Sequence, residues 1–279
     1  MMAVVPDNVF PALLRYWRGA RGMSQLDLAG AADVSPKHIS FLETGRAKPS
    51  REMVLRLATT LGVPLRDQNA LLIAAGFAEA FREIDPAGFD PNIRRALERM
   101  MAQQEPYPLL VLDRHYNLVM HNVASRRFLL TVLGERAEVE RNAMKMLFDP
   151  QLLRPYVVDW ERTARGLLGR LQREALYRRR DHGLTQLLAS LCAYEGVPQG
   201  WREPDLEAPS EATLHLRFEF LGQRIGFLTT LTVFQAPQNV SLEELQIESY
   251  FPLDDTTEQV CRMLADQPGS QPTSTSVKT

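Results

Sequence analysis

Between residues 25 and 48 the chain carries side chains suited to a polyanion with flat polar edges. Gln25, Ser35, His38 and Ser40 offer donors and acceptors, Lys37, Arg46 and Lys48 offer cations, and Phe41 offers an aromatic face beside the apolar Pro36. Cations and amides hold phosphate oxygens without reading sequence, whereas donor–acceptor pairs and an apolar face discriminate base edges and the thymine methyl. Other chemistries find less support. The five histidines (His38, His115, His121, His182, His215) show no metal-ligand spacing with one another or with Cys192 and Cys261. No serine sits in a nucleophile-elbow context, and Gly166 and Gly169 fall in a helical pattern rather than a phosphate loop. No carboxylates are paired by spacing for acid–base work. The expectation is a binding protein, not an enzyme, with no metal or other cofactor.

The elements that would present these residues are two short helices. Ser24 is placed to cap the first, with Leu26, Leu28 and Ala29 as its apolar positions; residues 32–35 break the pattern. Ser35 caps the second helix, Pro36 suits its first position, Ile39 and Leu42 share one face, and Gly45 stops it. Two helices across so short a turn describe a helix-turn-helix, or else a small hairpin in a bundle. Around them, residues 9–21 form an amphipathic helix with Leu13, Leu14 and Trp17 inward. Arg15, Arg18 and Arg21 lie outside it, on a solvated face or near the DNA backbone. Ser50 caps a further helix through Leu61, and the run after Pro64 closes a compact five-helix domain.

The string SQxxLA…VSxxxISxLExGRxxPS, read from Ser24 to Ser50, resembles the XRE-type (Cro/repressor-like) DNA-binding family over residues 9–76. The resemblance implies that Gln25 bonds phosphate and braces the recognition helix. Lys37 and His38, outward on the second helix, are the base-edge candidates, with Ser40 and Phe41 in support; Arg46 and Lys48, just beyond it, meet phosphate or are idle surface charges. Pro36 departs from the polar residue often found at its position. The sequence from Glu43 to Phe77 narrows the likeness to regulators with a C-terminal MmyB-like domain.

Length and composition agree with two domains. The chain has 279 residues, 45% hydrophobic and 24% charged, ordinary for a globular protein. Net charge is −2, but residues 1–80 hold nine basic against seven acidic residues. So modest a local excess implies few phosphate contacts per subunit and hence dependence on a homodimer. Two unclustered cysteines, no membrane-length apolar run and no signal peptide point to the cytoplasm.

After residue 82 a connector helix is expected within 83–106, with its pattern from Asn92 to Gln104. At residue 107 the pattern changes. Residues 109–112 read as a strand, 113–117 as a turn, 118–120 as a second strand, and Asn122 as the cap of a helix. The run from Tyr107 to Asn122 resembles a PAS opening hairpin and matches the MmyB-like pattern YPxLVLDRxxNxxxxN. Residues 124–196 read as helical, with Trp160 opening an apolar stripe; 197–210 reads as a proline-rich loop. Leu214, Leu216, Phe218 and Phe220 alternate with His215, Arg217 and Glu219 as a half-buried strand. A strand through Phe234 and a third over 240–251 follow, then a helix opened by Asp255 or Thr256, and a polar tail over 267–279 expected to be disordered. The expected fold is an all-α helix-turn-helix domain (1–82) plus an α+β PAS-like domain (107–266) with a five-stranded antiparallel sheet. The MmyB-like resemblance implies a fatty acid or related lipid as ligand. Leu216, Phe218, Phe220, Phe227 and Leu231 are the lining candidates or simply core, Trp160 a contact or core, Asn122 a head-group donor or a structural cap, and Arg173 a head-group donor or a surface or ion-pair residue. The function so implied is sequence-specific regulation at a double-stranded operator under a small hydrophobic ligand. The competing reading gives the second domain only dimerisation or protein interaction.

Overall fold

A computed structural model describes residues 9–85, 88–177, 181–203 and 215–266. They divide into two units: Met1–Asp85 with Phe234–Glu243, and Pro86–Val233 with Glu244–Thr279.

The first unit holds α1 (Val9–Ala20), α2 (Gln25–Ala31), α3 (Pro36–Glu43), α4 (Arg51–Thr60) and α5 (Leu65–Ala74). Serine caps set three of these starts. Ser24 and Asp27 form a reciprocal capping box at α2, Ser35 accepts from the His38 N–H at α3, and Ser50 accepts from the Met53 N–H at α4. Gly45, at φ 73°, takes the left-handed turn that ends α3. Leu14, Leu28, Ile39, Leu42, Leu57 and Leu72 form the core between the helices.

Helix α5 begins differently. Pro64 provides no side-chain cap, and the Leu65 N–H donates instead to Glu243 Oε2 at 2.7 Å. Glu243 ends a one-turn helix, Val240–Glu243. This corrects the first residues of the strand expected over 240–251, which instead runs Gln246–Pro252. Asn239 Oδ1 accepts from the Leu242 N–H at 2.8 Å, so an asparagine cap turns residues 240–243 helical. The Val240 N–H donates to the Arg82 carbonyl and the Ile84 N–H to Ser241 Oγ, fixing this segment within the first unit.

The second unit starts with α6 (Pro91–Gln104), the expected connector. It is an integral part of that unit, with Leu97 fully buried and Gln104 Nε2 donating to the Tyr250 carbonyl. Then come β1 (Leu109–Leu112), β2 (Leu118–His121), α7 (Val123–Leu133), α8 (Ala143–Phe148), α9 (Trp160–Tyr177) and α10 (His182–Cys192). They are followed by β3 (His215–Phe220), β4 (Gln223–Thr232), β5 (Gln246–Pro252) and α11 (Asp255–Ala265). Among the described residues the strands make one antiparallel sheet in the order β2-β1-β5-β4-β3. This is the α+β arrangement expected. Leu221 and Gly222, both at positive φ, form the two-residue turn joining β3 to β4. Helices α8, α9 and α10 pack against the sheet, with Phe148, Leu168, Leu171, Leu191 and Phe227 in the shared core. The basic run 178–180, the loop 204–210, the strand start at 212–214 and the tail 267–279 lie outside the described residues. Among those that are described, no helix is long and apolar enough to cross a membrane.

Candidate functional site

The α3 helix buries Ile39 and Leu42 and turns its other side outward. Ser35, Pro36 and Lys37 are exposed, and His38, Ser40 and Phe41 half-buried. Lys37 Nζ lies 5.5 Å from the Phe41 ring centroid, a distance at which the ring face attracts the cation and limits its wandering. Beyond the helix, Arg46 and Lys48 are exposed. Cation, imidazole, hydroxyl and aromatic edge thus share one surface on a rigid element.

What holds α3 is a cluster that its own outward residues do not reveal. Glu43, 2% exposed, takes Arg18 Nε and Nη2 at 2.6 and 3.1 Å and Gln25 Nε2 at 2.8 Å on its carboxylate. Arg15 Nη2 donates to the Glu43 carbonyl at 2.7 Å. Burial opposes ionisation of Glu43, but the hydrogen bonds from Arg18 and Gln25 and the charges of Arg18 and Arg15 prevail, and its carboxyl lies below the usual range. Gln25 therefore joins α2 to the end of α3. Arg15 and Arg18, expected on a solvated face or near the DNA backbone, are committed to this cluster, and Arg21 Nε donates to the Leu61 carbonyl. Internal carbonyls and Glu43 thus engage three of the nine basic residues.

In the second unit a cavity of about 90 Å³ opens between the sheet and the helices α7 and α8. Leu110, Leu118, Leu216, Phe218, Phe227 and Tyr250 line it from the strands. Phe128, Leu129, Ala143, Met146 and Leu147 line it from the helices. Its polar members are mostly spent. The Ser125 hydroxyl bonds Leu109 backbone and Asn122. The Tyr250 hydroxyl donates to Glu248 at 3.2 Å, and burial, then Glu248, hold that phenol far above its usual range. Glu248 also takes Arg170 Nη1 at 3.3 Å, and Arg170 in turn pairs with Glu174, which receives the Tyr116 hydroxyl. This chain of polar contacts runs on from the Tyr250 hydroxyl, and none of its other members lines the cavity.

Of the sequence candidates, Leu216, Phe218 and Phe227 meet in this cavity. Phe220 backs it, 5.4 Å from the Phe128 ring centroid. The others lie elsewhere. Leu231 is 47% exposed near the end of β4. Trp160 packs on Phe148 and donates to the Gly196 carbonyl. Asn122 is buried and committed within the protein: its Oδ1 accepts from the Leu109 N–H, the Ser125 N–H and the Ser125 hydroxyl, and its Nδ2 donates to the Tyr107 carbonyl. Arg173 is exposed on α9, outside the cavity lining. The cationic residue at the cavity is Arg141, which sequence reasoning missed.

Residues 93–264 match the MmyB-like transcription regulator ligand binding domain, and residues 14–68 match a helix-turn-helix. The chain belongs to the MmyB-like transcription regulators. In this MmyB-like regulator the cavity lies within the ligand-binding match, and Arg18, Gln25, α3 and Glu43 lie within the helix-turn-helix match. An uncharacterised HTH-type transcriptional regulator of Mycobacterium tuberculosis is similar at 32% identity over 145 residues, 50% of this chain and 46% of that protein. A Mycobacterium bovis protein of the same description matches equally. An HTH-type transcriptional regulator of Deinococcus deserti is 44% identical over 54 residues, 19% of this chain and 42% of that protein. The chain thus aligns with less than half the length of each of these relatives.

Proposed function

We propose that this chain is a sequence-specific DNA-binding transcription regulator, working in the cytoplasm as a homodimer, whose cavity senses a small amphiphile such as a fatty acid. The observation that carries the first part is α3: its apolar side is buried, its last residue is held by the Glu43 cluster, and Lys37, His38, Ser40 and Phe41 share its outer side. A helix so held presents side chains without losing them to rotation, which is what groove recognition requires. With three arginines engaged internally, few cations per subunit remain for phosphate. That favours two subunits reading half-sites about one helical turn (~34 Å) apart. Pull-down of genomic fragments at physiological salt tests this, and recovery of no enriched, partly palindromic site would overturn it.

The sensing part rests on the apolar cavity. Counting about 10–15 Å³ of such inner volume per water-sized group, 90 Å³ holds roughly six to nine groups. That suits a medium acyl segment better than a complete long chain. At about 0.8 kcal/mol gross per buried methylene, six to nine groups contribute roughly 5–7 kcal/mol, which after ordering losses leaves about millimolar binding from the tail alone. Mass spectrometry of organic extracts from the gently denatured protein is the direct check.

A further inference from the structure

We propose that Arg141 recognises the head group of the cavity's ligand, which is therefore a medium-chain acyl carboxylate lying tail-inward with its charge at the rim. This rests on the cavity being a ligand site, and it moves the head group away from Asn122 and Arg173.

Among the described residues that line the cavity, Arg141 alone carries a charge. It is the one exposed residue of the described lining, which sets it at the edge of the apolar space. Among the described residues no carboxylate is paired with it; neighbouring Glu140 spends its Oε1 on the Arg141 and Asn142 backbone N–H groups. Its position is nonetheless fixed. The Arg141 carbonyl accepts from the Leu118 N–H at 2.8 Å, at the start of β2, and Asn142 next to it caps α8. Backbone bonds thus tie the residue to two cavity walls while the side chain stays uncommitted.

The remaining polar groups of the lining cannot take the head. The Ser125 and Tyr250 hydroxyls are already bonded within the protein, and a carboxylate drawn in to meet them would lose its hydration without gaining a cation. At the rim it keeps part of its water and gains a planar fork matched to its two oxygens. A neutral head such as an alcohol gains only a single ordinary hydrogen bond there. The arrangement therefore selects charge at the mouth and chain length in the interior.

The test is calorimetric titration of the full chain with decanoate and with 1-decanol, for the wild type, Arg141→Gln and Arg141→Lys. No described hydrogen bond uses the Arg141 side chain, so both variants should fold; circular dichroism checks that. The wild type should prefer decanoate by about three- to tenfold, the range of an exposed but bidentate charge pair. Arg141→Gln should lose that preference while decanol binding stays within about twofold, Arg141→Lys should keep part of it, and added salt should erode it. Equal wild-type affinity for the two probes, or equal weakening of both by Arg141→Gln, would overturn the head-group role while leaving the cavity as a ligand site. Failure of the wild type to bind either probe would remove the cavity reading and this proposal together.

Discussion

Glu43 closes α3, and Arg18, Gln25 and Arg15 all donate to it. Removing the carboxylate would leave the Arg18 guanidinium, 17% exposed, without its ion-pair partner. Glu43→Ala is expected to destabilise the first unit by about 2–4 kcal/mol, read as a shift of the urea midpoint. Because the folded carboxyl titrates below its unfolded value, its contribution is complete above the ordinary carboxylate range and is lost as pH falls through the folded value. Urea midpoints across that acid range should fall more steeply for the wild type than for Glu43→Gln. Lys37→Ala belongs to this scale too. If Lys37 reads a base, the loss should be about 1–3 kcal/mol with relaxed specificity at that base pair. A loss uniform over sequences, with the salt slope reduced by about one unit, assigns it to phosphate. The outward residues of α3 were legible from the sequence because a short helix with two apolar positions fixes its own faces. The role of Glu43 was not, since its donors come from two other helices. For the same reason Arg173 was a reasonable sequence choice and Arg141 the structural one: helical periodicity sorts inward from outward but does not say which loop borders a cavity.

Capping governs the elements. The Ser50 side chain makes one exposed bond at α4, so Ser50→Ala should cost about 1 kcal/mol by chemical denaturation. Asn122 caps α7 from inside the core and also bonds the Leu109 N–H and the Tyr107 carbonyl. Asn122→Ala would strand those backbone groups and should cost roughly 2–4 kcal/mol. Among the strands, β3 was readable because its alternation is strict. The residues 240–243 were misread because Val240 and Leu242 fit a strand as well as they fit a helical turn, and the decisive signal was the Asn239 cap before them. The cavity was half readable: the sheet side follows from alternation, whereas Phe128, Ala143 and Met146 enter it only through the packing of α7 and α8. Ala143→Phe fills that space from the helical side. It should weaken decanoate binding at least about tenfold while shifting the thermal midpoint by only a few degrees, since filling a void offsets the strain of a larger side chain.

The molecule divides where its sequence does not. Helix α5 lacks a cap of its own and takes one from Glu243, so the first unit is completed by residues that follow β4 and precede β5. Glu243→Ala should speed hydrogen exchange at the Leu65–Gln68 amides and lower the stability of the first unit by about 1–2 kcal/mol, as loss of a charged cap at a helix N-terminus does. The consequence reaches to the gene. A DNA-binding module cut from residues 1–85 alone would leave out the residue that caps its last helix, so this regulator cannot be recombined by a single cut. A viable exchange of sensing domains among such proteins must bring along a stretch equivalent to residues 239–243, and that requirement ties the inheritance of the two halves together.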